Sequence, residues 1–353
     1  MTVEGGRRKK ALLWLVFSIV FLSLTGFALW VIQSYRYDQR IPSDHLIGNK
    51  ASSVEALKEK GLPFSFLVAG DTHLSSNADA LIEKALKAGS YSFMIILGDF
   101  VKKPDIRYHR FFLTEMTSEV KPPFPIFLVP GNHDIDYTSL KTGEEGRRVT
   151  PEVYESLYGP KNFNFTFNGC LFIICGTDLN DPGGYLNYLR NILSKDGEGK
   201  RHIFIFEHHP PKVVGKAGSF SLPNEEEFFS LLETYKVTAC FFGDYHAYWR
   251  GERRGTNLIV SGGGGGRLKN WQPEWGKFHH IMKITVGEDM TSEEIIILKG
   301  VVFPWSELRR NVYLCLFPVL KDRYWILYSG AVVLLSLGIF SVFCFVISFR
   351  RKG

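Results

Sequence analysis

Phe64-Ser65-Phe66-Leu67-Val68-Ala69-Gly70-Asp71-Thr72-His73 is an apolar run of strand length that stops at a glycine and then presents a carboxylate and an imidazole two residues apart. The same arrangement recurs along the chain. Phe93 to Leu97 leads into Gly98-Asp99, Pro125 to Val129 into Gly131-Asn132-His133-Asp134, and Ile203 to Phe206 into His208-His209-Pro210. Thr238 to Phe242 leads into Gly243-Asp244-Tyr245-His246. In open α/β sheets the loops leaving the carboxyl ends of strands converge on one rim, so these loops can bring their polar side chains to a single place.

Helices separate the runs. Ala78 to Ala88 has apolar residues at 78, 81, 82, 85 and 86, the stripe of a helix lying on a sheet. Tyr108 to Val120 continues the alternation, and shorter strands with Gly and Asn turns follow Val129. The expected fold is α/β: a two-sheet β-sandwich flanked by helices, in four layers ordered αββα. Glu293 to Leu298 is the last strand-like run, so the body is expected over residues 62–298. No internal repeat of about 20 to 50 residues is visible, and the single low-complexity run is Gly262 to Gly266.

The two ends differ from this body. Residues 11–33 and 325–349 carry no charge, and at about 1.5 Å per residue each is long enough to cross a hydrocarbon core of roughly 30 Å. Arg7, Arg8, Lys9 and Lys10 would serve as the basic region of a signal peptide, but the apolar stretch is too long for one and no clear small-x-small cleavage site follows. These four outnumber Arg36 and Arg40 beyond the span, which places the N-terminus in the cytoplasm. Arg350, Arg351 and Lys352 return the C-terminus there, while Arg309, Arg310, Lys321 and Arg323 before the second span weaken that agreement. The expected order is a cytoplasmic basic tail (1–10), a transmembrane helix (11–33), and a stalk (34–61) holding Pro42 and a helical stretch from Val54 to Glu59. The extracytoplasmic body (62–298) and a juxtamembrane segment (299–324) marked by Pro304 and Trp305 follow, then a second transmembrane helix (325–349) and a short tail (350–353). The expectation is an integral protein of a cell or inner membrane; a buried C-terminal hairpin or re-entrant segment is the alternative for the second span.

Composition narrows the function classes. With 45% hydrophobic and 22% charged residues over 353 positions, the chain is not disordered. The net charge of +6 is mild and many basic residues flank the spans, where anionic lipid head groups would meet them, so nothing points to nucleic acid. Two spans without internal charge leave too little intramembrane surface for a transporter. The five cysteines are odd in number, and Cys315 and Cys344 lie beside or within the second span. Cys170 and Cys175 on one strand would have α-carbons roughly 16 Å apart, beyond bridging range, and read as core thiols.

Carboxylates, imidazoles and an amide in this order suit the hydrolysis of a phosphate ester. Hydroxide must reach a phosphorus already ringed by negative oxygens, and two divalent ions about 3.5–4 Å apart lower the pKa of water and neutralise the phosphate. Such a pair needs one carboxylate able to bridge the ions and mixed oxygen and imidazole ligands around it. The motif order, over roughly Phe64 to Val286, resembles the calcineurin-like metallophosphoesterase superfamily, also called purple acid phosphatase-like. The resemblance implies that Asp71, His73, Asp99 and His246 hold one ion and that Asp99, Asn132, His208 and Asp244 hold the other, Asp99 bridging. It also implies that a bridging hydroxide attacks phosphorus in line while His133 protonates the leaving oxygen or stabilises the transition state, with Asp134 orienting that imidazole. His209 reads as a lining residue.

Two departures stand out. The fifth motif of such enzymes is usually Gly-His-x-His, and here Asp244 replaces the first histidine. A carboxylate favours a harder ion, so among Mn, Fe, Zn and Mg the expectation falls on Mn or Mg, unless the second site is left weak. After Asp99 many relatives carry an acidic or amide residue, whereas this chain reads Phe100-Val101-Lys102-Lys103-Pro104. These lysines either face an anionic substrate or are solvated loop charges, as are Arg147 and Arg148 in a loop with Glu144 and Glu145. The glycine run is not a nucleotide loop, since no Gly-Lys-Ser/Thr follows; it reads as a tight turn rather than as backbone passing close to a bound group. His279 and His280 read as structural, and Asn164-Phe165-Thr166 matches a glycan acceptor pattern. The expected function is a membrane-anchored binuclear phosphohydrolase acting on phosphoesters, lipid-linked or head-group phosphates among them. The alternative is a catalytically impaired membrane scaffold or receptor that keeps the fold, with Asp244 the sign of decay.

Overall fold

The apolar runs are nearly continuous because their strands are buried on both faces. The computed structural model describes residues 3–35, 42, 45–59, 61–137, 147–176, 178, 181, 183–212, 222–269, 275–300, 305–316 and 324–350. Expectations placed on Arg36, Arg40, Glu144, Glu145, Pro304, Lys321, Arg323, Arg351 and Lys352 lie outside the described residues. In chain order the elements are α1 (Val3–Tyr35), α2 (Ala51–Glu55), β1 (Phe64–Ala69), α3 (Ser76–Ala88), β2 (Met94–Ile96), α4 (Ile106–Glu115), β3 (Ile126–Leu128) and α5 (Pro151–Tyr158). There follow β4 (Phe163–Phe167), β5 (Cys170–Ile174), α6 (Gly184–Asp196), β6 (Ile203–Phe206), α7 (Glu225–Thr234) and β7 (Ala239–Phe242). The last are β8 (Tyr248–Arg253), β9 (Thr256–Ser261), β10 (His280–Val286), β11 (Thr291–Ile297), α8 (Trp305–Asn311) and α9 (Tyr324–Arg350). The chain divides into two units, Ile41–Pro304 and a second made of Met1–Arg40 with Trp305–Gly353.

In the larger unit one sheet has the order β11-β10-β1-β2-β3 and the other β4-β5-β6-β7-β9-β8. β1, β2 and β3 are mutually parallel, as are β5, β6, β7 and β9. Period-two alternation sorts their side chains. Phe64, Phe66 and Val68 of β1 join Cys170, Phe172 and Ile174 of β5 and Phe204 and Phe206 of β6 in the layer between the sheets. Leu171, Ile173, Ile203 and Ile205 face the opposite way, under α6 and α7. Phe66 is the hub of the inner layer, its ring 5.0 Å from Phe93, 5.5 Å from Phe172, 5.7 Å from Phe204 and 6.2 Å from Phe206. Cys170 and Cys175 lie on opposite faces and are free thiols.

Helix starts follow local chemistry. Ser75 caps α3 by accepting from the Ala78 N–H, Asp105 caps α4 through the Arg107 N–H, and Thr150 caps α5 through Val153 with Pro151 in the first turn. One boundary differs from the sequence reading: the chain joins the domain before Leu62. Ile47 bridges Ile126 in parallel, Ile126 N–H donates to Leu46 O at 2.8 Å, and the Asn49 amide exchanges hydrogen bonds with Leu128. β3 is the open edge of its sheet, and this segment satisfies backbone groups that would otherwise be bare. The short helix accordingly falls at Ala51–Glu55 rather than at 54–59.

In the smaller unit α1 and α9 contain the stretches Arg8–Gln33 and Trp325–Phe349, each long and apolar enough to cross a membrane. The helices run antiparallel: Val31 clusters beside Leu327, Leu22 lies on Gly338, and Trp14 meets Phe340 with ring centroids 6.1 Å apart. The seam is built from small residues, Ala11, Ser18 and Thr25 on α1 and Ala331, Gly338 and Ser341 on α9. A Cβ at Gly338 would stand 2.9 Å from Leu22 Cδ2, so the close approach requires glycine there. Ser18 and Thr25 hydroxyls donate to the carbonyls of Trp14 and Phe21, each at 2.8 Å, leaving no hydroxyl unsatisfied on the seam of α1. Large apolar side chains such as Leu12, Ile19, Val332 and Ile339 point outward and are exposed.

Candidate metal centre

The five loops leave the carboxyl ends of β1, β2, β3, β6 and β7 and are tied to one another by their main chains. Asp71 N–H donates to Gly98 O at 3.1 Å, His73 N–H to Asp99 O at 3.0 Å, and Gly243 N–H to His208 O at 3.0 Å. His133 N–H donates to Asp99 Oδ1 at 2.8 Å. The His208 Nδ1–H donates to Leu97 O at 2.7 Å and so ties the second sheet to the first. Asp71, His73, Asp99, Asp244 and His246 all hold φ between 47° and 60°, the left-handed region that non-glycine residues seldom occupy. Such conformations persist where surrounding structure over-determines them, and they concentrate at functional sites.

The structure brings together Asp71, His73, Asp99 and His246, each offering one ligand atom and all four atoms within 4.8 Å of one another. His246 Nε2 lies 3.5 Å from Asp71 Oδ1 and His73 Nε2 lies 3.7 Å from Asp99 Oδ2. The other oxygen of Asp99 faces a different set: Oδ1 is 3.5 Å from His208 Nε2, which is 3.2 Å from Asn132 Oδ1. The two oxygens of Asp99 thus look toward two groups of donor atoms. Asp244 is half-buried, and its charge acts on both Asp71 and His208.

The chemistry of this donor set fits cations. Both carboxylate oxygens of Asp71 are buried with no hydrogen-bond partner among the described residues, an arrangement costly for an anion unless a positive charge sits beside it. A carbonyl can only accept, so the His208 Nδ1 carries a proton, and Nε2 faces the oxygens of Asp99 and Asn132. Carboxylate, amide and imidazole atoms therefore converge on one place, the kind of set that oxygen and imidazole ligands form around a divalent ion.

Electrostatics agrees. Burial pushes the Asp71 carboxyl well above the usual range, with Asp99 and Asp244 adding to it against His208 and Lys269. Burial also raises Asp99, but His208, His133 and His73 outweigh it and hold that carboxyl low. The His208 imidazole is disfavoured as a cation by burial, yet Asp99, Asp71 and Asp244 draw it well above its ordinary value: the pocket demands positive charge. Burial depresses His73 to about 4 and His246 to about 3, so both are neutral imidazoles with lone pairs to offer.

His133 stands at the open side. Its side chain is 43% exposed, Nε2 lies 3.9 Å from Asp99 Oδ2, and Nδ1–H donates to Lys102 O at 2.9 Å. Asp134 does not reach that ring. Its Oδ2 accepts from Asp99 N–H at 2.7 Å and Gly131 N–H at 2.8 Å, and its Oδ1 accepts from Val101 N–H at 3.1 Å. The imidazole, expected to be oriented by Asp134, is bonded to a main-chain carbonyl, and Asp134 clamps the loops after β2 and β3. Burial pushes Asp134 up to about 8, assisted by Asp99 and opposed by the N–H groups of Gly131 and Val101. His209 is buried beside His208, with ring centroids 4.8 Å apart.

The glycine run proves to be close passage as well as turn. Gly262 N–H donates to Ala247 O, Gly264 N–H to Gly70 O and Gly266 N–H to Asp71 O, so the run threads between the first and fifth motifs. A Cβ at Gly262 would stand 2.6 Å from His246 N and 2.8 Å from Asp71 Oδ2. Three residues after the run comes Lys269, which the sequence reading did not single out: its N–H donates to His246 O at 3.2 Å and its Nζ to Asp244 O at 3.4 Å. The one available signal was its position just past the glycines. His280 is buried against Ser261, His279 contacts Asn77, and both lie outside the donor set. Asn164 sits in the edge strand β4 with its Oδ1 accepting from the Tyr188 hydroxyl at 3.1 Å.

The sequence matches the calcineurin-like phosphoesterase family over residues 64–248, more than half of the chain, and the chain belongs to that family. It carries a metal-dependent phosphoesterase domain with the two-sheet, helix-flanked fold of that class. A purple acid phosphatase from yellow lupin (Lupinus luteus) superposes with a TM-score of 0.50 at 15% identity, covering 69% of this chain and 53% of its own. This chain thus spans about half the length of the lupin protein. The anchor in the inner membrane complex of Plasmodium gives a TM-score of 0.46 at 15% identity over 71% of this chain and 95% of that one. A dimetal phosphatase from Danio rerio gives 0.41 at 12% identity, over 67% and 99%. No curated protein is a significant match.

Proposed function

We propose that this chain is a membrane-anchored phosphohydrolase with a binuclear metal centre, acting on phosphoesters presented at a membrane surface, lipid-linked or head-group phosphates among them. The observation that carries the reading is the double engagement of Asp99, whose Oδ2 lies 3.7 Å from His73 Nε2 while Oδ1 lies 3.5 Å from His208 Nε2. Asp71, His73, Asp99 and His246 would hold one ion, and Asp99, Asn132, His208 and Asp244 the other, with Mn favoured by the carboxylate at position 244. When bound, the ions lower the pKa of water and neutralise the charge on phosphate.

The remaining work falls to the protein. Because the His133 Nδ1–H is committed to the Lys102 carbonyl, only Nε2 can exchange a proton, and it faces the half-open side of the site beside Asp99. As the imidazolium, His133 would deliver that proton to the leaving oxygen. Asp134 and the glycine run act as positioning groups that hold Asp99, Asp71 and His246 in their left-handed conformations.

Antiparallel α1 and α9 support the reading that both termini lie on one side of the membrane, and the basic residues at those ends favour the cytoplasm for that side, with the catalytic domain outside. Metal content by mass spectrometry on detergent-purified protein, beside hydrolysis of an aryl phosphate with Mn²⁺ added, tests the proposal. About two ions per chain, and turnover lost in Asp99→Ala, are expected. Absence of metal and of turnover with several divalent ions would leave the scaffold reading in its place.

A further inference from the structure

β3 carries Asn132 and His133 on the loop at its carboxyl end, yet it runs only from Ile126 to Leu128 and has β2 as its one neighbour in the sheet. Its other edge is covered by the segment Leu46 to Asn49, which follows α1 in the chain. Ile126 N–H donates to Leu46 O and Gly48 N–H donates to Ile126 O, each at 2.8 Å. The fully buried Asn49 side chain closes the join. Its Nδ2 donates to Leu128 O at 2.8 Å and to Pro160 O at 3.0 Å, and its Oδ1 accepts from Leu128 N–H at 3.1 Å. Gly48 and Gly159, both at positive φ, let two backbones cross, since a Cβ on Gly48 would strike Tyr158 O and one on Gly159 would strike Asn49 O. Beyond that crossing the Tyr158 hydroxyl lies 3.0 Å from His109 Nδ1, and the His109 ring stands edge-on to Phe100, the residue after Asp99.

We infer that Asn49 is a positioning residue for the second metal ion, the one assigned to Asp99, Asn132, His208 and Asp244. The inference deepens the binuclear reading and rests on it. Asn132 lies just past Leu128, with Val129, Pro130 and Gly131 between, so the place where β3 ends sets where Asn132 Oδ1 meets His208 Nε2, 3.2 Å away. Asp134 holds this loop at Gly131, and Asn49 holds it at Leu128. A short edge strand with one neighbour frays readily, because few hydrogen bonds retain it. The Asn49 amide engages both the N–H and the C=O of Leu128, as a neighbouring strand would. The remaining ligands of the first ion come from elsewhere: Asp71 and His73 follow β1, Asp99 follows β2 and His246 follows β7, so none of them hangs on β3. Loss of the hydrogen bonds that orient a ligand typically costs about 10–100-fold in metal affinity, and here that loss falls on one ion.

The test measures Mn²⁺ content and affinity of the full-length, detergent-purified protein by mass spectrometry and chelator competition, with electron paramagnetic resonance to tell a coupled pair of Mn²⁺ ions from an isolated one. Wild type should hold about two ions and show the coupled signature. In Asn49→Ala the first ion should stay within about threefold of its wild-type affinity while the second weakens about 10–100-fold, so that at limiting Mn²⁺ the isolated-ion spectrum replaces the coupled one. Asn49→Ser keeps a shorter polar group and is the gentler change; it should weaken the second ion in the same direction, by at least about threefold. Leu189→Ala opens a cavity on α6, in the outer layer away from β3, and should lower Tm while both ions stay in place. Two ions of undiminished affinity in both Asn49 variants, or an equal loss of the second ion in Leu189→Ala, would overturn the inference while leaving the binuclear centre intact. A wild type that binds at most one ion would overturn the binuclear reading and this inference together.

Discussion

Replacing Asp134 with alanine removes one carboxylate that accepts from three buried N–H groups, those of Asp99, Gly131 and Val101, at 2.7, 2.8 and 3.1 Å. The side chain is fully buried, so water cannot take its place without opening the loops. A buried donor left unpaired costs about 1–3 kcal/mol, and with partial relaxation the three together should cost about 3–6 kcal/mol. For a domain of this size each kcal/mol lowers Tm by about 2–4 °C, so a fall of at least about 6 °C is expected. Thermal unfolding of the detergent-purified protein measures it, with His133→Ala beside it. His133 is half-exposed and the hydrogen bond of its ring is to a main-chain carbonyl, so that variant should lose activity while its Tm stays within about 2 °C of wild type. The double variant separates the two roles. If Asp134 clamps the loops, its cost persists in the His133→Ala background; if the cost disappears there, or if Asp134→Ala alone leaves Tm unchanged, the clamp reasoning is wrong.

Gly262→Ala would place a methyl 2.6 Å from His246 N and 2.8 Å from Asp71 Oδ2, forcing the first and fifth motifs apart. Metal affinity measured by competition with a chelator should fall about 10–100-fold while secondary structure by circular dichroism is kept; unchanged affinity would mean that the run has room to spare. Stripping metal from the wild type with a chelator should lower Tm, because the buried oxygens of Asp71 then lack a cation, and added Mn²⁺ should restore it. An ion present at about 100 times its dissociation constant stabilises by about 2.7 kcal/mol, and a Tm indifferent to chelator would argue against a built site.

Much of this molecule is legible in one dimension because its signals are local. The strands announce themselves as apolar runs because both faces are buried, and each run ends where a glycine and a polar residue begin. Period-two geometry then separates Cys170 from Cys175 without knowledge of the rest of the fold. The candidate ligands could be named for the same reason, since each follows its own strand within a few residues. The stalk was less readable: whether residues 46–49 bond to a sheet depends on β3 being an open edge, which only the strand order settles.

Sequence by itself determined the class of fold, the charge-free spans and the identity of the polar residues at the strand ends, all properties of short segments whose period or composition is self-contained. Tertiary structure decided which atoms face which. It set the two oxygens of Asp99 toward different histidines, turned Asp134 away from the His133 ring toward three main-chain donors, and passed the glycine run between Asp71 and His246 to deliver Lys269 beside Asp244. Those facts join residues as far apart as Asp71 and Lys269, and no local pattern encodes them, because they follow from two sheets meeting face to face and from the direction each loop takes on leaving its strand.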